Sequence, residues 1–205
     1  RLADNRVQLT GSLYYFDWED TILLFADQNI PSINRNYMDN AGAAHSQGIE
    51  VGVDWQVTDF LSLNVGADIN EAELDEAVGG SPAGTQLPNA PEWSWSAMLD
   101  YGIPLDGGRE VNFTLNYSAM GSQESSLGIE NTDGAVVSSF TYPRRHSTDL
   151  SAHMRGENDR WKASLFVKNL TGEESETYYI NVLAVNQYAW QPPRQIGLEF
   201  TIRAQ

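Results

Sequence analysis

Leu61-Ser62-Leu63-Asn64-Val65-Gly66-Ala67-Asp68-Ile69-Asn70 alternates apolar and polar residues without a fault. Leu61, Leu63, Val65, Ala67 and Ile69 fall on one side, and Ser62, Asn64, Gly66, Asp68 and Asn70 on the other. Successive side chains of a β-strand point to opposite faces, so this period of two reads as a strand with one greasy and one wet face. A helix would scatter the same five apolar residues around its whole circumference. Three further stretches are as regular. Val111, Phe113, Leu115 and Tyr117 oppose Asn112, Thr114, Asn116 and Ser118; Ile49, Val51, Val53, Trp55 and Val57 oppose Glu50, Gly52, Asp54 and Gln56; Ile196, Leu198, Phe200 and Ile202 oppose Gly197, Glu199, Thr201 and Arg203. Noisier versions start near Val7, Trp93, Thr148 and Trp161, with Phe166 breaking the polar face of the last. Together they predict an all-β chain of about eight antiparallel strands, at 6–18, 47–57, 61–70, 92–103, 109–119, 146–155, 160–169 and 194–203.

Alternation alone also suits a soluble β-sandwich, whose sheets meet water on one face. Three features favour a strand that crosses a bilayer. The runs are about 9 to 11 residues long, the length a tilted transmembrane strand needs, whereas ordinary strands average about 5 to 6. The polar face mixes small and acidic residues, as a water-lined lumen does. Links alternate in length: short at 58–60, 104–108 and 156–159, long at 19–46, 71–91, 121–145 and 171–193. Bacterial outer-membrane barrels keep short turns in the periplasm and long loops outside. On that orientation Trp55, Tyr101 and Trp161 sit on the apolar face near short turns, and Tyr15, Trp93 and Tyr117 near long loops. Two such levels are expected of aromatic girdles. A self-contained eight-stranded barrel with a structural or adhesive role is compatible with the same pattern.

Composition narrows the function. Acids outnumber bases 28 to 12, giving a formal charge of −16, so phosphate backbones are repelled and nucleic-acid binding is not expected. Cysteine is absent, which removes disulfides, Cys-based zinc sites and a Cys nucleophile. No run approaches the roughly 18 apolar residues of a membrane helix. Residues 1–20 show neither an initiator Met nor a signal pattern, which is the look of a processed or excised segment. No nucleophile elbow, phosphate loop or HExxH motif is present, so the chain is read as a non-enzyme without a cofactor.

Four places resemble the C-terminal barrel of TonB-dependent outer-membrane receptors. Asn40-Ala41-Gly42-Ala43-Ala44-His45-Ser46-Gln47-Gly48-Ile49-Glu50 is similar to the family's lead into a down-going strand, and Leu87-Pro88-Asn89-Ala90-Pro91 to its lead into the next. Phe166-Val167-Lys168-Asn169-Leu170-Thr171-Gly172 and Pro193-Arg194-Gln195-Ile196-Gly197-Leu198-Glu199-Phe200 resemble its late and closing strands. The resemblance spans nearly the whole chain. It implies one segment of a 22-stranded barrel, with a plug domain and a TonB-contacting box elsewhere, in active uptake of a scarce nutrient (iron chelate, cobalamin or carbohydrate). Implied partners are outer-membrane lipid and lipopolysaccharide, the plug, the TonB system and the nutrient. One departure concerns the closing strand, where the family usually ends on an aromatic residue. Here Phe200 is followed by Thr201-Ile202-Arg203-Ala204-Gln205.

Candidate site residues lie in the long links. Arg144 and Arg145, beside His146, form the basic cluster nearest an external loop and suit an anionic chelate or lipopolysaccharide phosphate; pairing with loop acids is the plainer reading. Tyr178, Tyr179, Tyr188 and Trp190 either stack on a ligand ring or pack the last loop against the rim. Glu71, Glu73, Asp75 and Glu76 offer oxygens to a divalent ion, but the turn glycine of an EF-hand is missing, so a solvated acidic tip is the simpler account. His45, His146 and His153 show no ligand spacing. The long links hold 14 of the 28 acids, which favours a neutral or cationic substrate over an anionic one.

Overall fold

The structure is a computed structural model. It describes residues 6–26, 36–40, 42–127, 129–130, 136–137, 140–156, 160–182 and 185–203. The described elements are β1 (Val7–Trp18), β2 (Ile22–Ala26), β3 (Asn36–Asn40), β4 (Ala44–Gln56), β5 (Leu61–Leu74), β6 (Trp93–Leu105), β7 (Arg109–Met120) and β8 (Gln123–Glu124). They continue as β9 (Ile129–Glu130), β10 (Val136–Val137), β11 (Thr141–Tyr142), β12 (Arg145–Arg155), β13 (Trp161–Lys168), β14 (Glu176–Val182), β15 (Val185–Trp190) and β16 (Gln195–Ile202). Eight long strands form one sheet in the order β1-β4-β5-β6-β7-β12-β13-β16, each antiparallel to its neighbour. This is a meander, the connectivity of an outer-membrane barrel wall.

Its faces follow the alternation of the sequence. Large apolar side chains stand uncovered on the outer face: Leu13 is 80% exposed, Ile69 65% and Leu198 84%. Each such side chain left in water forgoes roughly 1.5–3 kcal/mol. The buried apolar residues, among them Ala44, Leu74 and Leu127, cluster instead where the loops fold together. Total accessible surface is 13404 Å², against about 9,600 Å² for a water-soluble monomer of this length. A sandwich would cover the apolar face with a second sheet; among the described residues none lies there, and hydrocarbon is the covering that fits. The sheet is also open, since β1 and β16 each have one partner strand among the described residues. It is a segment of barrel wall and not a closed eight-stranded barrel.

At the short-turn end the links are tight. Thr58 N–H donates to Leu61 O at 3.1 Å between β4 and β5, and Arg6 pairs with Asp59 at 2.9 Å. Gly107 and Gly108 take φ of +73° and +67° between β6 and β7, a conformation that glycine adopts without the Cβ penalty. The other end departs from the sequence expectation in two ways. The strand predicted at 61–70 runs on to Leu74, because Glu71–Leu74 pairs with Ala44–Gln47, and the strand predicted at 47–57 accordingly begins at Ala44. Backbone pairing continues above the lipid whatever the side-chain polarity, so the end of apolar alternation does not mark the end of the strand. The long links also carry hairpins: β2 with β3, β8 with β11, β9 with β10 and β14 with β15.

Candidate functional site

The rim of the long-loop end is built from two interlocked links. Phe140 stacks on Tyr179 with centroids 4.9 Å apart and planes at 19°. It meets Tyr188 and Tyr142 edge-on at 5.6 and 5.5 Å. Tyr179 and Tyr188 are direct cross-strand partners on β14 and β15, their rings 5.3 Å apart. Tyr142 is buried, and its hydroxyl oxygen accepts from Tyr179 N–H at 3.0 Å. Offset and edge-on ring pairs of this kind each contribute about 0.5–1.5 kcal/mol beyond simple burial. Four rings thus tie the 121–144 link to the 171–194 link. Of the aromatic candidates, Tyr179 and Tyr188 are brought together; Tyr178 and Trp190 stand apart, 52% and 56% exposed. Phe140 and Tyr142 were missed by the sequence reading. Their signal is the Phe140-Thr141-Tyr142 spacing, which puts two rings on one side of a short strand.

Arg144 precedes β12 and is exposed, while Arg145 begins it, half-buried and opposite Met120. Neither joins an ion pair among the described residues. The pairing with loop acids that the sequence suggested is therefore not seen for them.

The four acids proposed as cation ligands go separate ways. Gln47 Nε2 donates to Glu71 Oε2 at 3.4 Å, and Glu73 bridges to Gln86 through the backbone. Asp75 Oδ1 meets His45 Nδ1 at 2.7 Å, and the Glu76 carboxylate lies against Gly42. Among the described residues no three His, Asp or Glu side chains gather as a metal site. Glu71 and Glu73 also belong to β5 and not to a loop tip.

Beneath the rim the loops share a small core, in which Ala44, Leu74 and Leu127 pack with Val78 and Leu87. Asn89, at φ +59°, donates its N–H to Glu124 O at 2.9 Å and so joins the 75–92 link to β8. The motifs that carry the family likeness fall at such joints. Gly42, at φ +70°, donates to Asn40 Oδ1 at 2.7 Å. Asn169, at φ +49°, donates through Nδ2 to Glu173 O at 2.8 Å and Pro192 O at 3.0 Å, and accepts from Glu173 N–H at 2.8 Å.

On the polar, inner face a shallow depression is lined by Asn64, Gly66, Ser96, Asn116, Ser118 and Asp149. Most of these residues are small and hydrogen-bonding, and Met98 adds an apolar side chain among them. The same face carries a feature the sequence reading passed over: Tyr14, Phe16 and Trp18 occupy successive inward positions of β1, with Tyr14–Phe16 centroids 5.5 Å apart and Phe16–Trp18 6.0 Å apart. Tyr14 Oη lies 3.1 Å from Asn70 Oδ1 and 3.3 Å from Asp68 Oδ2.

Solved structures share this architecture. The ferric yersiniabactin uptake receptor FyuA of Yersinia pestis superposes over 97% of the chain with a TM-score of 0.75 at 17% identity. The ferric-catecholate import receptor Fiu of E. coli K12 does so over 96% with 0.64 at 19%, and the copper transporter OprC over 96% with 0.66 at 15%. At these identities the likeness is one of fold. The chain spans 28%, 25% and 28% of those three proteins. Residues 1–170 match the family model described as TonB dependent receptor-like, beta-barrel. A polarised meander with an uncovered apolar face, a wet inner face and interlocked loops at one end is the wall of a bacterial outer-membrane barrel, and the chain belongs to the TonB-dependent receptor β-barrel family.

Proposed function

We propose that this chain supplies wall strands and extracellular loops to a receptor that takes up a scarce nutrient across the outer membrane. The observation that carries the reading is the sidedness of the sheet: an apolar outer face, a polar inner face, and long loops locked together at one end only. Such a wall separates lipid from an aqueous lumen. The loop cluster gives incoming solute a fixed rim, where exposed Arg144, Tyr178 and Trp190 are free to touch it and Tyr179 and Tyr188 hold the rim's shape. Arg145 faces the same mouth from the top of β12.

The plug domain and the TonB system are the partners that would gate and energise passage; bilayer lipid covers Leu13, Ile69 and Leu198, with lipopolysaccharide at the upper girdle. Relatives of this fold are named for ferric yersiniabactin, ferric catecholate and copper, which supports a metal chelate or similar scarce solute as cargo. Cobalamin and carbohydrate remain within the same transport chemistry, and the acidic loops favour neutral or cationic cargo.

The test is genetic. A strain lacking the intact receptor is grown in media limiting in turn for iron, copper, cobalamin and a single oligosaccharide carbon source. A growth defect in one medium, reproduced by loss of TonB, is expected. Normal growth in all four overturns the uptake reading.

A further inference from the structure

On the outer face, the register stacks three rows of side chains at the long-loop end of β1, β4 and β5. Leu13, Ile49 and Ile69 form the lowest row, Tyr15, Gln47 and Glu71 the next, and Asp17, His45 and Glu73 the uppermost. Two residues of strand, roughly 7 Å, separate each row from the one below. Tyr15 belongs to the upper girdle, the level at which lipid headgroups lie. Glu71 therefore stands at headgroup height and Glu73 one row above it, while Leu13, Ile49 and Ile69 lie just below, among acyl chains.

These rows line an open recess of about 680 Å³, with Leu13, Ile49 and Ile69 as its floor and Gln47, Glu71 and Glu73 as its upper wall. Its size falls within the roughly 300–1,000 Å³ of small-molecule sites. Both neighbours of β4 and both neighbours of β5 belong to this sheet, and the recess opens toward lipid, where a plug inside the barrel has no access. Its charge has one sign. No Lys or Arg occurs in β1, β4, β5 or β6, nor anywhere from Asn36 to Gly108. Among the described residues neither Glu71 nor Glu73 joins an ion pair, and the imidazole of the upper row is engaged by Asp75. A carboxylate drawn out of water at the lipid boundary costs free energy unless a positive group meets it. A purely anionic headgroup is repelled there. An ammonium head on a chain that lies over Leu13, Ile49 and Ile69 suits both halves of the recess.

We propose that this recess binds one membrane lipid whose headgroup carries a primary amine, with Leu13, Ile49 and Ile69 under its chain and Glu71 and Glu73 against its ammonium. The site goes beyond nutrient uptake: it concerns the barrel's neighbour in the bilayer and holds whatever the cargo.

The test uses the intact receptor in detergent, with native mass spectrometry counting the lipid it retains. The probes are dioleoylphosphatidylethanolamine and its N-acetyl derivative, which has the same chains and phosphate but no ammonium. One copy of the amine lipid is expected to be held at least tenfold more tightly than the acetylated one. Glu71→Gln with Glu73→Gln is expected to erase that preference. Ile49→Trp with Ile69→Trp fills the recess and is expected to lower retention of the amine lipid tenfold or more. Glu50→Gln, on the inner face of β4, leaves retention unchanged. Equal retention of the two lipids overturns the proposal. So does a preference that survives the paired Glu change in a variant whose heat-modifiable gel mobility shows a folded barrel. Retention unaffected by the two Trp substitutions places the amine lipid elsewhere and overturns the site as well.

Discussion

The ring of Tyr15 lies almost parallel to the imidazole of His45, centroids 5.9 Å apart and planes at 20°. The arrangement recurs 102 residues along the chain, where Tyr117 stacks on His146 at 6.0 Å and 19°. Each imidazole is held by an acid from a neighbouring segment, His45 by Asp75 at 2.7 Å and His146 by Glu173 at 3.5 Å. Both tyrosines sit on the outer face near the long loops, at the level of the upper girdle. The histidines, which the sequence left without a role, thus brace girdle tyrosines that would otherwise swing freely at the interface. A double-mutant cycle of Tyr15→Ala and His45→Ala, read by urea unfolding in liposomes, is expected to show a coupling of about 0.5–1.5 kcal/mol. Strict additivity of the two single changes would refute the brace.

Glycines on the inner face differ in what they permit. Gly48 lies beneath the Tyr14 ring and against Ile69 O, where a Cβ collides with both. Gly66 has only Ser96 Oγ near, at 3.7 Å from a built Cβ. Overpacking of a tight site costs about 1–3 kcal/mol. Gly48→Ala is therefore expected to lower stability by about that much, and Gly66→Ala to be nearly neutral or slightly stabilising. Equal losses at the two positions in denaturant titrations contradict this assignment.

The wall was legible in the sequence and the loops were not, for a physical reason. A strand with lipid on one side and water on the other must alternate, so Leu61–Asn70 announces its own faces. Above the lipid that constraint lapses: Glu71 and Glu73 remain in β5 although nothing in their polarity says so. Loop contacts such as Phe140 on Tyr179 join residues far apart in sequence, and no period encodes them. Tyr14, Phe16 and Trp18 were hidden differently. The apolar face of β1 runs through Leu9, Leu13 and Tyr15, and Tyr14, Phe16 and Trp18, on the alternate positions, look like noise on that pattern until the register places them inward.

Asn169 is a joint worth removing. It is buried at 4% exposure, adopts φ +49°, and closes the start of the 171–194 link with three side-chain hydrogen bonds. Its own N–H also donates to Asp149 Oδ1 at 2.8 Å. Asn169→Gly keeps the backbone conformation and loses the side-chain bonds, at about 0.5–1.5 kcal/mol each. Asn169→Ala loses the same bonds and adds the left-handed penalty of roughly 1–2 kcal/mol. Protease nicking after residue 170 should rise in the order wild type, Gly, Ala; a reversed order of the two variants is incompatible with this account.

Phe140 should behave as a coupling element between loops. It touches Tyr142 in its own link and Tyr179 and Tyr188 in the next. Phe140→Ala removes three of the ring contacts named above while leaving the Tyr179 N–H to Tyr142 bond possible. Hydrogen exchange at Tyr179 and Tyr188 is expected to quicken about tenfold or more, the factor that a 1.4 kcal/mol loss implies. Exchange within β6 and β7 should not change. Protection of the β14–β15 hairpin unaltered by the substitution would mean that the links fold independently.

The sidedness of the wall can be read one residue at a time, because the chain contains no cysteine and an introduced one is the sole thiol within it. Leu63, Leu115 and Leu198 lie on the face assigned to hydrocarbon, whereas Asn116 and Glu199, their neighbours in sequence, face the lumen side. A nitroxide at the three leucine positions in lipid vesicles should collide freely with dissolved oxygen, which concentrates in hydrocarbon, and seldom with a polar nickel chelate. At positions 116 and 199 the polar reagent should gain access. Because the strand period is two residues, a shift of one position must invert the ratio. Labels at Leu63, Leu115 and Leu198 shielded from both reagents would place a second protein layer over this face and remove the bilayer from the account altogether.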